Sequence, residues 1–265
     1  MPTPSTRTSY DPLYFASLYA IEDRHFWFQG RNRIIGILVK QEVARLTSDY
    51  RVLEVGCGTG NVLRILRQVC THGHVIGMDL FGEGLQFARR RANCSLVQGD
   101  IHLPPFGVQF ELVCLFDVLE HLPDDRQILR GLWAMLVPGG ALFLTVPADP
   151  SLWSYFDEES HHCRRYVRLD LERKLVDTGF QVEYLTPWMT TIFPLVWLGR
   201  RVAGLIDRQP ADAPGRAQSL TMRELRIIPV ANDILSFLVN REAYFVARRR
   251  QLPIGTSLLA IARKG

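Results

Sequence analysis

Three glycines alternate at Gly56, Gly58 and Gly60, between a short apolar run and a segment with helical spacing. The apolar run, residues 51–55, predicts a buried strand of a parallel sheet. A strand, a glycine turn and a helix in this order bring the backbone against a nucleotide-like ligand, because side chains at the glycines would block the ligand or forbid the turn. Glu54, near the end of the strand, is predicted to be a buried carboxylate that needs a partner.

The spacing of the glycines distinguishes between the known types of nucleotide-binding turn. A dinucleotide fingerprint that starts at Gly56 requires Gly or Ala at position 61, where this chain has Asn61. A P-loop requires Gly-Lys-Ser/Thr, which is absent from the turn. The turn is therefore typical of neither class, and a glycine-rich turn without a ligand is the remaining alternative.

Two acids follow the next two predicted strands. Asp79 ends the strand at 75–79, about 20 residues after Gly58, where a carboxylate can accept both ribose hydroxyls. Asp100 ends the strand predicted at 94–101. Consecutive parallel strands end at one edge of a sheet, so we expect both acids there; N-capping of the following helix is the alternative.

Two histidines are candidate proton acceptors. His121 follows the strand predicted at 110–116, and His162 lies in the polar segment 156–166 after the next strand. Loops at strand ends are where such folds place catalytic groups, and histidine titrates near neutral pH. The alternative for His121 is that it only orients its loop. Possible metal ligands within 157–163 match no standard zinc spacing, so no metal site is predicted.

The alternation of elements predicts an α/β, doubly wound fold. Beyond those already named, we predict strands at 141–146, 181–185 and 256–262, and helices at 33–47, 62–67, 82–92, 124–136 and 168–178. Residues 1–30 are rich in aromatic residues and precede the first strand. With an exposed Trp27-Phe28 pair beside two arginines, this segment is predicted to form a cover over the ligand, with Arg31 or Arg33 reaching an anionic ligand group. A helix that only caps the edge of the sheet is the alternative.

Length and composition indicate one large domain, or one domain with an insertion. The chain has 265 residues, of which 47% are hydrophobic and 22% charged. Five scattered cysteines predict reduced thiols and a cytoplasmic setting rather than a disulfide framework. Residues 1–7 have no apolar core and are not predicted to be a signal peptide.

The basic charge is concentrated near the C-terminus. Residues 187–265 contain 12 Lys and Arg against 5 Asp and Glu, a net +7, whereas the preceding residues contain 19 against 22, a net −3. The uncharged run 185–199 is shorter than the roughly 20 residues that span a bilayer. Residues 187–254 are thus predicted to be a hydrophobic lid, a pair of helices docking on an anionic membrane, or a dimer interface, with a linker at 209–219. Nucleic acid ranks last, because no binding motif is present.

These motifs together resemble the class I S-adenosylmethionine (SAM)-dependent methyltransferases, and among them the small-molecule type similar to the ubiquinone-biosynthetic O-methyltransferases. The residues that carry the resemblance are Glu54-x-Gly-x-Gly-x-Gly60, Asp79, Gly99-Asp100-Ile101, Phe116-Asp117-Val-Leu-Glu-His121 and Leu136-x-Pro-Gly-Gly140. The resemblance implies a Rossmann-like sheet of seven strands, with the last strand antiparallel and inserted beside the sixth. It implies an N-terminal helical cover (1–50), a SAM-binding core (51–186), a helical insertion (187–254) and a final strand (255–265).

The resemblance also implies the cofactor, SAM, and the residues that bind it. Gly56, Cys57 and Gly58 would line its methionine and ribose part. Asp79, with Leu80 beside it, would hold the ribose hydroxyls, and Asp100 with Ile101 would frame the adenine. Phe116 and Asp117 would lie near the methionyl end, and Arg31 would meet the carboxylate. Glu54 and Gly60 complete the predicted site.

The implied activity is transfer of a methyl group to a small, apolar or lipid-like acceptor, with O-methylation favoured. An oxygen acceptor must lose a proton, for which His121 and His162 are the candidate bases. The alternatives are a non-catalytic SAM-binding or scaffold protein and an RNA methyltransferase; the glycine spacing disfavours an NAD-dependent oxidoreductase. The expected partners are the small acceptor, the inner face of a membrane contacted peripherally, and a second copy of the chain, without nucleic acid.

Overall fold

The computed structural model describes residues 11–206 and 226–265. The N-terminal residues 1–7 and the linker expected at 209–219 therefore lie outside the described residues. Helices and strands are numbered below in chain order within the described part.

Seven strands form one mixed sheet. In space they are arranged in the order β3-β2-β1-β4-β5-β7-β6, and β7 runs antiparallel to both β5 and β6. The strands are β1 (Arg51–Val55), β2 (His74–Asp79), β3 (Ser95–Gln98), β4 (Phe110–Phe116), β5 (Leu136–Pro147), β6 (Phe180–Trp188) and β7 (Ser257–Lys264). The predicted doubly wound sheet with its antiparallel last strand is confirmed. The strand order reverses between β1 and β4, and ligands of such sheets bind in the crevice outside the strand ends at this point.

Helices cover both faces of the sheet. They are α1 (Tyr14–Ile21), α2 (Phe26–Val43), α3 (Asn61–Val69), α4 (Gly82–Arg91), α5 (Asp125–Met135), α6 (Tyr155–Glu159), α7 (Arg168–Asp177), α8 (Phe193–Ile206) and α9 (Pro229–Ala247). One hydrophobic cluster contains buried residues of α2, α3, α4 and α9, and a second contains those of α5 and α7. Each face of the central strands is therefore buried, which explains their nearly continuous apolar sequences.

Several predicted boundaries were wrong, and three of them have a clear structural cause or consequence. Strand β5 begins at Leu136, not at residue 141, because Leu136 already pairs with Phe110 across a register shift in the ladder. Strand β3 ends at Gln98, so Asp100 lies in the turn after it. Helix α2 begins at Phe26, since the side chain of His25 accepts a hydrogen bond from the Trp27 N–H and caps it.

The segment between β6 and β7 packs on the N-terminal helices. Helix α9 lies so close to α2 that a Cβ on Gly30 would come 2.2 Å from the Val239 Cγ1 atom. Asn232 of α9 accepts a hydrogen bond from the Phe26 N–H at 2.8 Å and donates one to the Arg24 carbonyl at 3.0 Å. These contacts place α9 on the same side of the molecule as the N-terminal cover. Among the described helices, none is both long enough and apolar enough to cross a membrane.

Candidate functional site

A cavity of about 1600 Å³ opens at the carboxyl ends of the parallel strands. Every residue predicted for the site lines it except Gly60: Arg31, Glu54, Gly56, Cys57, Gly58, Asp79, Leu80, Asp100, Ile101, Phe116, Asp117, His121 and His162. Residues of α1, α2, α6 and α8 also line it. The tertiary structure thus brings together groups that are up to 131 positions apart in the chain.

The glycine turn requires glycine for two different reasons. Gly56, Gly58 and Gly60 all have positive φ angles, of 71°, 50° and 78°. A Cβ on Gly60 would lie 2.8 Å from the Ala88 Cα atom, so this glycine allows the turn to pack on α4 rather than lining the cavity. A Cβ on Gly58 would meet only the ring of Phe15, at 3.6 Å. The backbone at Gly58 is therefore open toward the cavity, as close approach of a ligand requires.

Asp79 holds the glycine turn and keeps acceptor capacity for a ligand. It is 6% exposed, and its two carboxylate oxygens accept hydrogen bonds from the N–H groups of Gly58, at 2.7 Å, and Phe81, at 2.9 Å. Burial raises the pKa of Asp79, although these hydrogen bonds oppose the shift. An ionised carboxylate has about four lone-pair positions, so two remain that could accept ribose hydroxyls.

Asp100, by contrast, is half exposed and bonded to its own turn. Its Oδ1 atom accepts from the His102 N–H at 2.9 Å and lies 2.8 Å from the His102 Nδ1 atom. Partial burial raises the pKa of Asp100, but the bonds with His102 outweigh it and hold the pKa below its usual value. The adjacent Ile101 is half-buried against the core beneath. Leu80, across the cavity mouth, is 47% exposed.

Arg31 connects the N-terminal cover to the end of β4. Its Nη1 atom donates a hydrogen bond to the Asp117 Oδ2 atom at 2.8 Å, and the guanidinium stacks on the ring of Trp27 at 5.0 Å. The Trp27-Phe28 pair was predicted to be exposed, and this was wrong: Phe28 is buried and Trp27 packs against Trp188. Both aromatic residues line the cavity.

Glu54 is a buried carboxylate whose Oε2 atom has no hydrogen-bond partner among the described residues. Burial raises its pKa well above the usual value, and the charge of Arg31 only partly opposes this. Unsatisfied buried polar atoms are rare in folded proteins and call for an explanation. A ligand donor in the cavity, which Glu54 lines, would supply the missing partner.

The raised pKa of Glu54 predicts how its substitution changes stability with pH. Folded Glu54 keeps its proton where the unfolded chain has lost it, so its stabilising contribution falls as pH rises. Above the ordinary carboxyl pKa of 4.5, the loss amounts to about 1.4 kcal/mol per pH unit until the raised pKa is reached. We expect the free energy of unfolding of Glu54→Gln, measured with urea and without ligand, to rise relative to that of the wild type as the pH is raised above about pH 5. A difference independent of pH would contradict this.

Cys57 and Phe116 form part of the apolar lining. Cys57 is 5% exposed, and burial, followed by the nearby Glu54 charge, raises its thiol pKa well above the usual value. The thiol therefore stays protonated and unreactive at neutral pH. Phe116 is buried at the end of β4, immediately before Asp117, whose φ of 55° turns the chain sharply into the next loop.

Helix α1 covers the glycine turn. Phe15 packs near the Phe81 ring, and Tyr14 donates a hydrogen bond to Glu159 of α6, which joins α1 to the opposite rim of the cavity. The end of α1 is anchored by Glu22, which bonds both Thr59 of the turn and Arg91 of α4. These contacts were not predicted, because the pairs are 37 to 145 positions apart.

His121 and His162 pack against each other in the wall of the cavity. Their rings are 4.8 Å apart and nearly perpendicular. The His162 Nδ1 atom lies 2.9 Å from the Asp157 Oδ1 atom, and its Nε2 atom lies 3.9 Å from the Glu120 Oε1 atom. Sequence reasoning missed Glu120, although it directly precedes His121, and gave Asp157 no orienting role.

A family model described as a methyltransferase domain matches residues 19–185. The chain belongs to this methyltransferase family. It is a SAM-dependent methyltransferase domain with a seven-stranded Rossmann-like sheet, and SAM is its cofactor. The open backbone at Gly58, the spare acceptor capacity of Asp79 and the unpartnered Glu54 fit such a ligand.

Relatives of the methyltransferase are distant and partial. The ubiquinone biosynthesis O-methyltransferase of Erwinia tasmaniensis is 32% identical over 102 residues, which are 36% of this chain and 41% of the relative. The human protein named probable tRNA methyltransferase 9B is 29% identical over 145 residues, 54% of this chain and 30% of that one. Phosphoethanolamine N-methyltransferase 2 of Haemonchus contortus, solved with S-adenosyl-L-methionine, has a TM-score of 0.61 at 20% identity, covering 97% of this chain and 58% of that chain. The chain thus spans less than half the length of the curated relatives named here, and its acceptor is not given by them.

Proposed function

We propose that this methyltransferase transfers a methyl group to a hydroxyl oxygen of a small, apolar or lipid-linked acceptor. The observation that carries the proposal is the lining of the cavity beyond the predicted cofactor residues. There, α2 contributes Phe26 and Trp27, and the region of α8 contributes Ile192, Leu195 and Val196. An apolar wall of this kind suits an acceptor with an aromatic or aliphatic body.

The polar groups of the same cavity suit an oxygen nucleophile. SAM supplies a methyl group on a positively charged sulfur, which an acceptor oxygen displaces in line. The protein's part is to hold the acceptor in line, which is worth about 7–11 kcal/mol at best. It must also receive the hydroxyl proton or stabilise the negative charge that develops on the oxygen. His121 and His162 are the side chains that we assign to this second task, with Asp157 orienting the His162 ring.

The names of the relatives support this choice without deciding it. The Erwinia tasmaniensis relative is named for O-methylation in ubiquinone biosynthesis, which favours an apolar acceptor with a hydroxyl group. The human relative is named for tRNA, and the C-terminal residues carry an excess of positive charge. RNA is therefore the rival acceptor that an experiment must include.

The test begins with calorimetric titration of SAM, its demethylated product and NAD into the purified chain. We expect micromolar binding of the first two and none of NAD. Transfer of a labelled methyl group is then measured to quinols, phenols, lipid-linked phenols and bulk tRNA. Transfer to the apolar hydroxyl compounds supports the proposal. Transfer to tRNA alone contradicts the acceptor class, and SAM binding without any transfer favours a non-catalytic SAM-binding protein.

Exposed side chains of α8 and α9 support a peripheral membrane contact, which would give access to a lipid-linked acceptor. Apolar residues on these helices that are at least 40% exposed are Leu195, Trp197, Leu198, Val202, Val230, Ile234, Phe237, Tyr244 and Phe245. Arginines lie over three of the aromatic rings: Arg201 over Trp197, Arg241 over Phe237 and Arg248 over Tyr244. Aromatic rings paired with cations suit the interface of an anionic bilayer.

A matched pair of leucines tests this contact. Leu198 of α8 is 54% exposed and Leu169 of α7 is 60% exposed, so the same substitution removes similar apolar surface from two different faces. We expect Leu198→Ser to reduce sedimentation with phosphatidylglycerol vesicles several-fold, and Leu169→Ser to leave it unchanged, because only the first residue lies on the proposed contact. Binding of the wild type should weaken with salt. Equal effects of the two variants would contradict the contact.

A further inference from the structure

The acceptor side of the cavity contains a compact group of metal-ligating side chains. Glu120, His121 and His162 each offer one ligand atom, and these atoms all lie within 4.8 Å of one another. The first two residues come from the single turn Leu119–His121 after β4, and the third from the loop before α7. Two imidazoles and a carboxylate are a ligand set that zinc takes in catalytic sites with an open position.

Glu120 is the observation that points to a ligand in this cluster. It is 1% exposed, and its Oε2 atom has no hydrogen-bond partner among the residues that the structure describes. Its other oxygen lies 3.9 Å from the His162 Nε2 atom, which is beyond hydrogen-bond distance. A buried carboxylate left in this state is costly, and a cation held between it and the two rings would satisfy it.

The surroundings orient His162 as a metal ligand. Its Nδ1 atom lies 2.9 Å from the fully buried Asp157, so its Nε2 atom is directed toward Glu120. Asp157 is itself held by the Arg165 Nε atom at 2.7 Å and by the Ser154 N–H at 2.9 Å. A carboxylate behind a histidine in this way fixes the ring and raises its basicity toward a metal.

The backbone joins the two segments that carry the cluster. The Cys163 N–H donates a hydrogen bond to the Glu120 carbonyl at 2.7 Å, and the Tyr166 hydroxyl donates to the Leu119 carbonyl at 3.5 Å. The three ligands are therefore held in position by the fold rather than by a flexible loop. Sites built on such supported segments lose less entropy when they bind.

We propose that Glu120, His121 and His162 bind one divalent cation, with Zn²⁺ the best match to this donor set. This departs from the expectation of no metal site, which considered only residues close in sequence. Of the ligands considered there within 157–163, only His162 belongs to the cluster; His161 and Cys163 are exposed. The binding of the cation is inferred from the geometry of the cluster alone, whereas its use in catalysis rests on the proposed function.

In that use, the cation would hold the acceptor hydroxyl and lower the cost of losing its proton. With both imidazoles bound to the cation, the cation takes over their role and the proton passes to solvent. An oxygen lone pair forms the new C–O bond with the methyl carbon, and the C–S bond breaks with its electron pair on sulfur. The products are a methyl ether, the neutral thioether form of the cofactor and one proton.

The test is metal binding by the full chain, measured without turnover. Chelator-treated protein is titrated with Zn²⁺ against a chromophoric competitor, and with Co²⁺ while its visible absorption is recorded. We expect one site per chain, weakened at least about 100-fold by Glu120→Gln or His162→Gln and about 10-fold by Asp157→Asn, because the last residue only positions a ligand. His74→Asn removes an exposed histidine and should change nothing.

Several outcomes would overturn the proposal. The first is that the wild type binds no stoichiometric Zn²⁺. The second is that Glu120→Gln binds Zn²⁺ as tightly as the wild type. The third is that Cys163→Ser loses the site, which would assign Zn²⁺ binding to a thiol instead. Melting temperature and SAM affinity, measured on each metal-free variant, show that the variants are folded. If the wild type does not bind SAM, the proposed function is wrong. If it transfers methyl groups but has no Zn²⁺ site, only this inference is wrong.

Discussion

Substitution of Asp79 by Asn is expected to weaken SAM binding by about 10- to 100-fold, since hydrogen bonds to a charged group contribute roughly 1.5–3 kcal/mol. In the folded protein the carboxylate accepts from two backbone N–H groups, at Gly58 and Phe81. An asparagine has one accepting oxygen, so its NH₂ group would face one of these donors. The variant would therefore lose the acceptors that we propose for the ribose hydroxyls, and it would also disturb the glycine turn.

Calorimetric titration of SAM measures this effect, and Asp49→Asn is its control. Asp49 also has a positive φ, of 68°, and an 87% exposed side chain, but it does not line the cavity. The control should bind SAM as tightly as the wild type. An Asp79→Asn affinity within about twofold of the wild type would mean that Asp79 serves only the turn.

The second large effect is expected on stability, from Gly60→Ala. Gly60 has φ of 78°, and an added Cβ would lie 2.8 Å from the Ala88 Cα atom. A left-handed alanine costs about 1–2 kcal/mol, and the contact with the backbone of α4 about 1–3 kcal/mol more. At about 2–4 °C per kcal/mol for a chain of this size, we expect the melting temperature to fall by roughly 5–15 °C.

Gly131→Ala is the matched control for this substitution. Gly131 lies inside α5, and an added Cβ there would meet nothing within 4 Å. Alanine in a helix interior is about 0.5–1 kcal/mol more favourable than glycine, so this variant should melt slightly higher than the wild type. If both variants shifted the melting temperature alike, the close contact at Gly60 would not be the cause.

Much of the fold was predictable because its signals are local. The mostly apolar run 110–116 matches β4 residue for residue, since a strand buried on both faces is apolar along most of its length. Boundaries were less predictable where a partner decides them. Strand β5 extends back to Leu136 only because Phe110 pairs with it. The start of α2 at Phe26 depends on the His25 side chain, which caps the helix. The aromatic residues around His25 gave no sequence signal for this cap.

The candidate site also has a part that the sequence predicts and a part that it does not. The sequence by itself determined the glycine turn, Glu54 and the strand-end acid Asp79, because their spacing follows from the chain's own geometry at a strand end. Only the tertiary structure decided that Arg31 pairs with Asp117, 86 positions away, and that His162 meets Glu120. Such pairings depend on how the cover, sheet and loops pack, and no periodicity or turn signal in the chain encodes a contact between segments that are distant in sequence.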